Sequence, residues 1–115
     1  MLNGFGQGHY TGDLLLSILV PVYNERTVVE RSLAQVLAAP LPEKMERELI
    51  VVDDCSTDGT SVILQRLAQE NPCIRLFQKT KNEGKGAAVA MGWEGVELAR
   101  AAVGAVAVCE FDSLH

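Results

Sequence analysis

The chain has 115 residues, enough for one domain of ordinary size, and its 48% hydrophobic and 22% charged content argues against disorder. Ten Lys and Arg against fifteen Asp and Glu leave a net charge of −5. That balance argues against a general nucleic-acid surface, which needs cations to neutralise phosphates, and against a polybasic membrane patch.

Residues 1–13 (MLNGFGQGHYTGD) contain four glycines and little apolar content, and read as a flexible leader. They lack the basic segment and continuous apolar stretch of a secretory signal. The spacing Gly4-x-Gly6-x-Gly8 is not read as a phosphate loop, because no strand precedes it. Leu14 to Val22 is the first apolar run, the pattern of a strand buried on both faces, and it should stop near Pro21, which has no N–H for a ladder. It is also the longest apolar run, far short of the roughly 18–20 residues that cross a bilayer. From Glu25 onward, Val29, Leu33, Val36 and Leu37 recur on one face of a helix that Pro40 and Pro42 end.

Leu49 to Val52 is a second buried strand, followed by the turn-rich Asp53-Asp54-Cys55-Ser56-Thr57-Asp58-Gly59-Thr60. A second helix carries Ile63, Leu64 and Leu67 and closes at Asn71-Pro72. Cys73 to Phe77 is a third strand. The loop Asn82-Glu83-Gly84-Lys85-Gly86 leads into a third helix with Val89, Trp93, Val96 and Arg100, and a fourth strand starts over Ala105 to Val108. The order βαβαβαβ predicts an α/β fold with a mainly parallel sheet between helical layers, a three-layer αβα domain over residues 14–115. Cys55, Cys73 and Cys109 are odd in number and widely spaced, which suits reduced cytosolic thiols better than disulfides or a zinc site.

In open α/β sheets, ligands bind beyond the carboxyl ends of the strands. Polar residues collect there: Tyr23, Asn24 and Glu25 after the first strand, Asp53 and Asp54 after the second, Glu110 and Asp112 after the fourth. Carboxylates grouped this way suit a cationic or metal-bound ligand. Asp58, Ser56 and Thr57 are read instead as helix caps, and Trp93 as a packing residue.

The segments LSILVPVYNE (16–25), ELIVVDDCSTDGT (48–60) and NEGKGAAVAMG (82–92) resemble, in order and spacing, the nucleotide-binding half of family 2 glycosyltransferases with the GT-A fold. The resemblance covers about residues 14–112 and leans toward the dolichyl- and polyprenyl-phosphate sugar synthases. It implies that Pro21 and Tyr23 line the base and ribose pocket with Glu25 beside them. Of the pair Asp53-Asp54, it implies that Asp54 hydrogen-bonds the base. It places Lys85 near the diphosphate, although a solvated loop lysine is an equal reading of the sequence.

The same resemblance implies a DxD motif after the fourth strand, holding Mg²⁺ or Mn²⁺ against the departing nucleoside diphosphate. Here that stretch reads Glu110-Phe111-Asp112, with Glu in the first position and a bulky residue between. In a second register Asp112-Ser113 begins the motif with one acid missing. Asp112 is the metal candidate in both, and Glu110 in one. His115 is read as uninvolved.

The implied activity is transfer of a sugar from a UDP- or GDP-sugar to a polyprenyl phosphate or glycan, in the cytoplasm or at the cytoplasmic face of a membrane. The acceptor half with its catalytic base falls outside these motifs, so the chain reads as truncated, holding the donor side only. Two other classes remain: a non-catalytic domain derived from such an enzyme, and a receiver-like signalling module. The receiver needs its acid pair after the first strand and a phosphoacceptor Asp at the end of the third; CIRLFQKT has no acid.

Overall fold

The structure, a computed structural model, describes residues 14–103, 106–111 and 114–115. The leader 1–13, with its glycine spacing, and Asp112 lie outside the described residues. Strand β1 (Leu14–Val22) pairs in parallel with β2 (Met45–Asp53) along its whole length, from Leu14 opposite Met45 to Val22 opposite Asp53. Strand β3 (Ile74–Gln78) lies on the far side of β2, and β4 (Val106–Glu110) lies beside β1. The sheet order is β3-β2-β1-β4 and every pairing is parallel.

The alternation of side chains along each strand makes two cores. On one face Ile18, Val20, Val22, Leu49, Val51 and Ile74 pack with Val29 and Leu33 of α1 (Val29–Ala38) and Leu64 and Leu67 of α2 (Thr60–Glu70). On the other, Leu19 and Ile50 pack with Val96 of α3 (Lys85–Val103) and with Phe77, Val106 and Val108. These are the three layers expected. Burying side chains of this kind contributes about 1.5–3 kcal/mol each, the main force holding the layers together.

Pro21 lies inside β1 rather than at its end, because pairing with β4 stops at Leu19 and the proline nitrogen meets no ladder. Helix α1 opens at Val29, not Glu25: residues 25–28 form a turn whose Glu25 carbonyl accepts the N–H groups of Val28 (3.1 Å) and Val29 (2.8 Å). Its last carbonyls are satisfied from the sheet, since the Arg47 guanidinium donates to Val36 and Ala39. Strand β2 starts four residues before the apolar run Leu49–Val52. The polar stretch Met45–Glu48 is drawn into the ladder because β1 offers it a full set of partners. Trp93 is 39% exposed, a correction to its expected packing role: Ala88, Val96 and Ala99 form the buried stripe of α3, and Trp93 falls beside it.

Candidate functional site

Helices α1 and α2 carry the chain from β1 outward to β3, whereas α3 returns it across the opposite face to β4. The strand order therefore reverses between β1 and β4, and the C-terminal ends of β1, β2 and β4 define a crevice there. Two tight turns shape it, each using a non-glycine residue in the left-handed region: Asn24 (φ 50°) after β1 and Cys55 (φ 62°) after β2. The turns are stitched together. The Asn24 N–H donates to Ser56 Oγ (2.9 Å), and the Thr57 N–H donates to Asn24 Oδ1 (2.7 Å). The Glu25 N–H donates to Thr60 Oγ1 (3.1 Å) and the Arg26 N–H to Asp58 (3.3 Å).

Ser56 and Thr57 thus hold the β1 turn rather than capping α2, because Asn24 presents both a donor and an acceptor to them. Asp58 does serve the start of α2, accepting the Thr60 N–H at 3.0 Å. Burial raises its carboxyl pKa, but the hydrogen bonds from Thr60 and Arg26 outweigh that and hold it below the ordinary range.

The two adjacent acids do different work. Asp53 is buried and faces inward, accepting the Ser56 N–H (3.0 Å), the Ser61 hydroxyl and the Gln78 amide. It fixes the turn that leads into α2. Asp54 is completely buried and faces the 82–84 loop: Oδ1 accepts the Glu83 N–H (3.0 Å), and Oδ2 accepts the Gly84 N–H (2.9 Å). The His115 ring nitrogen Nε2 lies 3.0 Å from the same Oδ2. Burial works to raise the Asp54 pKa, yet the Glu83 N–H, the His115 ring and the Gly84 N–H together lower it, so the group is an anion.

Tyr23 is half-buried beside this cluster, its ring centroid 5.8 Å from that of His115 with a 32° tilt between planes. Its N–H donates to the carbonyl of Leu114 (3.0 Å), so Leu114 lies beside the end of β1. Pro21 is buried and Glu25 half-buried on the same strand end. Lys85 is exposed as the first residue of α3, directly after Gly84, whose φ of 95° only glycine adopts readily. The structure therefore brings Tyr23, Asp54, the 82–84 loop and His115 together, and places Asp53 in a supporting role behind them.

Glu110 ends β4 opposite Leu19 and is exposed. Among the described residues no three His, Cys, Asp or Glu side chains gather as a metal cage. Glu110 offers a hard oxygen donor suited to a divalent cation, but one carboxylate does not make a site by itself.

Sequence reasoning placed Asn24 at the strand end without a role and read His115 as uninvolved. Asn is among the few residues that enter the left-handed region readily, and its place before Glu25 carried that signal. His115 carried none, since its partner Asp54 lies 61 residues away.

A parallel layered sheet with a polar crevice at its switch point defines a ligand-binding α/β domain. Residues 17–97 match the family described as glycosyl transferase family 2, and the chain belongs to it. It is 41% identical over 74 residues to the putative teichuronic acid biosynthesis glycosyltransferase TuaG of Bacillus subtilis, covering 64% of this chain and 28% of that protein. It is 36% identical over 85 residues to the dolichyl-phosphate β-glucosyltransferase ALG5C of Trichomonas vaginalis, covering 70% and 25%. The chain thus spans about a quarter of the length of these relatives.

Among solved structures, the mannosyltransferase PcManGT of Pyrobaculum calidifontis in complex with GDP-Man and Mn²⁺ superposes with a TM-score of 0.60 at 30% identity. The match covers 69% of this chain and 23% of that one. TarS of S. aureus in complex with UDP gives 0.66 at 27%, covering 85% and 27%. The fold is that of the GT-A glycosyltransferases, and the receiver reading is set aside. No described helix is long and apolar enough to cross a membrane.

Proposed function

We propose that this chain is the donor side of a metal-dependent, inverting glycosyltransferase that takes a UDP- or GDP-sugar. The observation that carries the reading is that an aromatic ring, Tyr23, and a buried carboxylate, Asp54, both lie against the His115 ring at the switch point of a family 2 sheet. A flat base packs against Tyr23, with Pro21 and Glu25 on the same strand end beside base and ribose, and gives a ring N–H to Asp54. Asp53 holds the turn that presents Asp54. The diphosphate lies toward the N-terminus of α3, where Lys85 and the positive end of the helix dipole meet its charge.

Glu110 and Asp112 are the carboxylates that would hold Mg²⁺ or Mn²⁺ in this reading, and the ion would offset charge on the leaving diphosphate. Two relatives that carry the dolichyl-phosphate and dodecaprenyl-phosphate names support a lipid-phosphate acceptor, and TuaG supports a glycan. A lipid-phosphate acceptor puts the reaction at the cytoplasmic face of a membrane. The acceptor oxygen attacks the anomeric carbon as the nucleoside diphosphate leaves. The base that takes a hydroxyl proton belongs to the acceptor side of such an enzyme.

Calorimetric titration with UDP, GDP and their sugar conjugates, with and without Mn²⁺, tests the reading. One nucleotide should bind in a Mn²⁺-dependent way, and Asp54→Asn and Asp112→Ala should each weaken it by tenfold or more. A folded chain that binds neither nucleotide overturns it.

A further inference from the structure

Among the described residues three groups hydrogen-bond the Asp54 carboxylate, and they differ in kind. Two are main-chain N–H groups of the loop before α3, at Glu83 and Gly84, fixed by the helix that follows. The third is a side chain: His115 Nε2, 3.0 Å from Oδ2, with the ring only 12% exposed. His115 follows Leu114, which is buried and whose carbonyl accepts the Tyr23 N–H. The main chain is thereby pinned beside the crevice at Leu114, whereas the imidazole is held only by its side-chain contacts, so rotation about its own χ bonds is enough to move it. Its ring lies beside Tyr23 and points a nitrogen at a buried anion.

A planar heterocycle against Tyr23 with a ring nitrogen on Asp54 makes the same two contacts that the proposed site asks of a nucleobase. We infer that His115 holds the nucleobase position in the free protein, and that a base carrying a ring N–H takes its place on Asp54. His115 is therefore a residue that sets affinity and base selectivity. The inference rests on the nucleotide-binding reading given above.

The exchange is balanced: one ring replaces another beside Tyr23, and one N–H replaces another on Oδ2. The carboxylate is never left buried without a third donor, a state that is costly for an anion. Uracil and guanine carry a ring N–H at the required edge. Cytosine and adenine present a lone pair at the corresponding ring position, which Asp54 repels, and they do not repay the loss of His115. Nucleotide affinity is accordingly reduced by the fraction of molecules in which His115 is seated.

The test measures UDP, GDP, CDP and ADP binding in Mn²⁺ by the whole chain and by His115→Ala and His115→Phe. Removal of the ring in His115→Ala should tighten the preferred nucleotide about tenfold. His115→Phe keeps a ring beside Tyr23 without the N–H and should gain less. The chain has only two histidines, so the His115 ring is readily assigned by NMR through the alanine variant. Its signals should move toward those of a solvated imidazole as nucleotide is added to the unaltered chain.

A merely structural His115 predicts weaker binding in His115→Ala, the opposite sign. If the unaltered chain binds nucleotide while His115→Ala binds no tighter, or the His115 signals stay in place at saturation, the exchange is overturned and the nucleotide reading stands. If both folded proteins bind none of the four nucleotides, the nucleotide reading itself fails, and the exchange with it.

Discussion

Cys55 is held at φ 62° directly after the two acids, a conformation that costs a non-glycine residue on the order of 1–2 kcal/mol. Side chains alternate along the end of β2, so that Asp53 enters the α2 turn and Asp54 meets the 82–84 loop, and Cys55 then turns the chain away from the strand direction. Cys55→Gly removes the strain and should stabilise the fold by up to about 1 kcal/mol, the remainder being offset by the freer unfolded chain. Cys55→Val puts a branched side chain where it fits worst and should destabilise by about 1–3 kcal/mol. Chemical denaturation of the two variants checks this: opposite signs are expected, and equal losses would mean that the turn is not strained. At this scale the sequence was legible in position, since Tyr23 and Asp54 stand at the strand ends where their motifs place them. It was silent where the role depends on a distant partner. His115 meets Asp54 because Leu114 is bonded to Tyr23 at the end of β1, and nothing local to residue 115 encodes that contact.

At the scale of elements, α3 positions both the 82–84 loop and Lys85, and its seat on the sheet rests on two glycines. A Cβ at Gly92 would stand 2.5 Å from Leu19 Cδ2, and one at Gly95 would stand 3.1–3.3 Å from the Phe77 ring and Ile50. Leu19 is buried, so its methyl has little room to retreat. Gly92→Val should therefore destabilise by about 1–3 kcal/mol through overpacking, despite leaving a poor helix former behind. Gly86 sits in the first turn of the same helix, with open space around a notional Cβ. Gly86→Ala should leave stability unchanged or raise it by up to about 1 kcal/mol. Thermal unfolding separates the two, and a stable Gly92→Val would show that α3 does not lie close on β1. The helix was legible from its apolar spacing, but the close approach was not. Gly92 and Gly95 look like weak points of a helix until Leu19, Ile50 and Phe77 are placed beneath them. The same holds for the first half of β2, where Met45–Glu48 is polar and becomes strand only because β1 runs the full length beside it.

Across the whole molecule, the middle of β2 and the turn at its C-terminal end carry buried carboxylates with opposite linkage to pH. Asp54, at the C-terminal end, and Asp58 beyond it have pKa values lowered by hydrogen bonds that outweigh burial. Their contribution to stability is present above the ordinary aspartate range, roughly pH 4, and is lost as the pH falls through the lower folded values. Glu48 lies six residues upstream of Asp54 on the α3 face. There Ser17 Oγ donates to it at 2.8 Å, and Arg75 lies 3.3 Å away while also donating to the Gly95 carbonyl of α3. Burial raises the Glu48 pKa, and the bonds from Ser17 and Arg75 only partly counter it. Its contribution is therefore present below the ordinary glutamate value and is lost as the pH rises through the raised folded one.

Glu48→Gln keeps the shape and removes the titration, at the expense of the ion pair with Arg75, whose side chain is 15% exposed. Relative to the unaltered chain, this variant should gain stability steadily as the pH is raised from about 4. Asp54→Asn should do the reverse, its deficit shrinking as the solution is acidified toward pH 3. Midpoints of thermal unfolding between pH 3 and 8 for the three proteins measure both slopes. A Glu48→Gln difference that stays constant over that range would mean that Arg75 fully repays the burial of the anion. The middle of β2 would then be held by a true ion pair, rather than by a carboxyl that folding prefers uncharged.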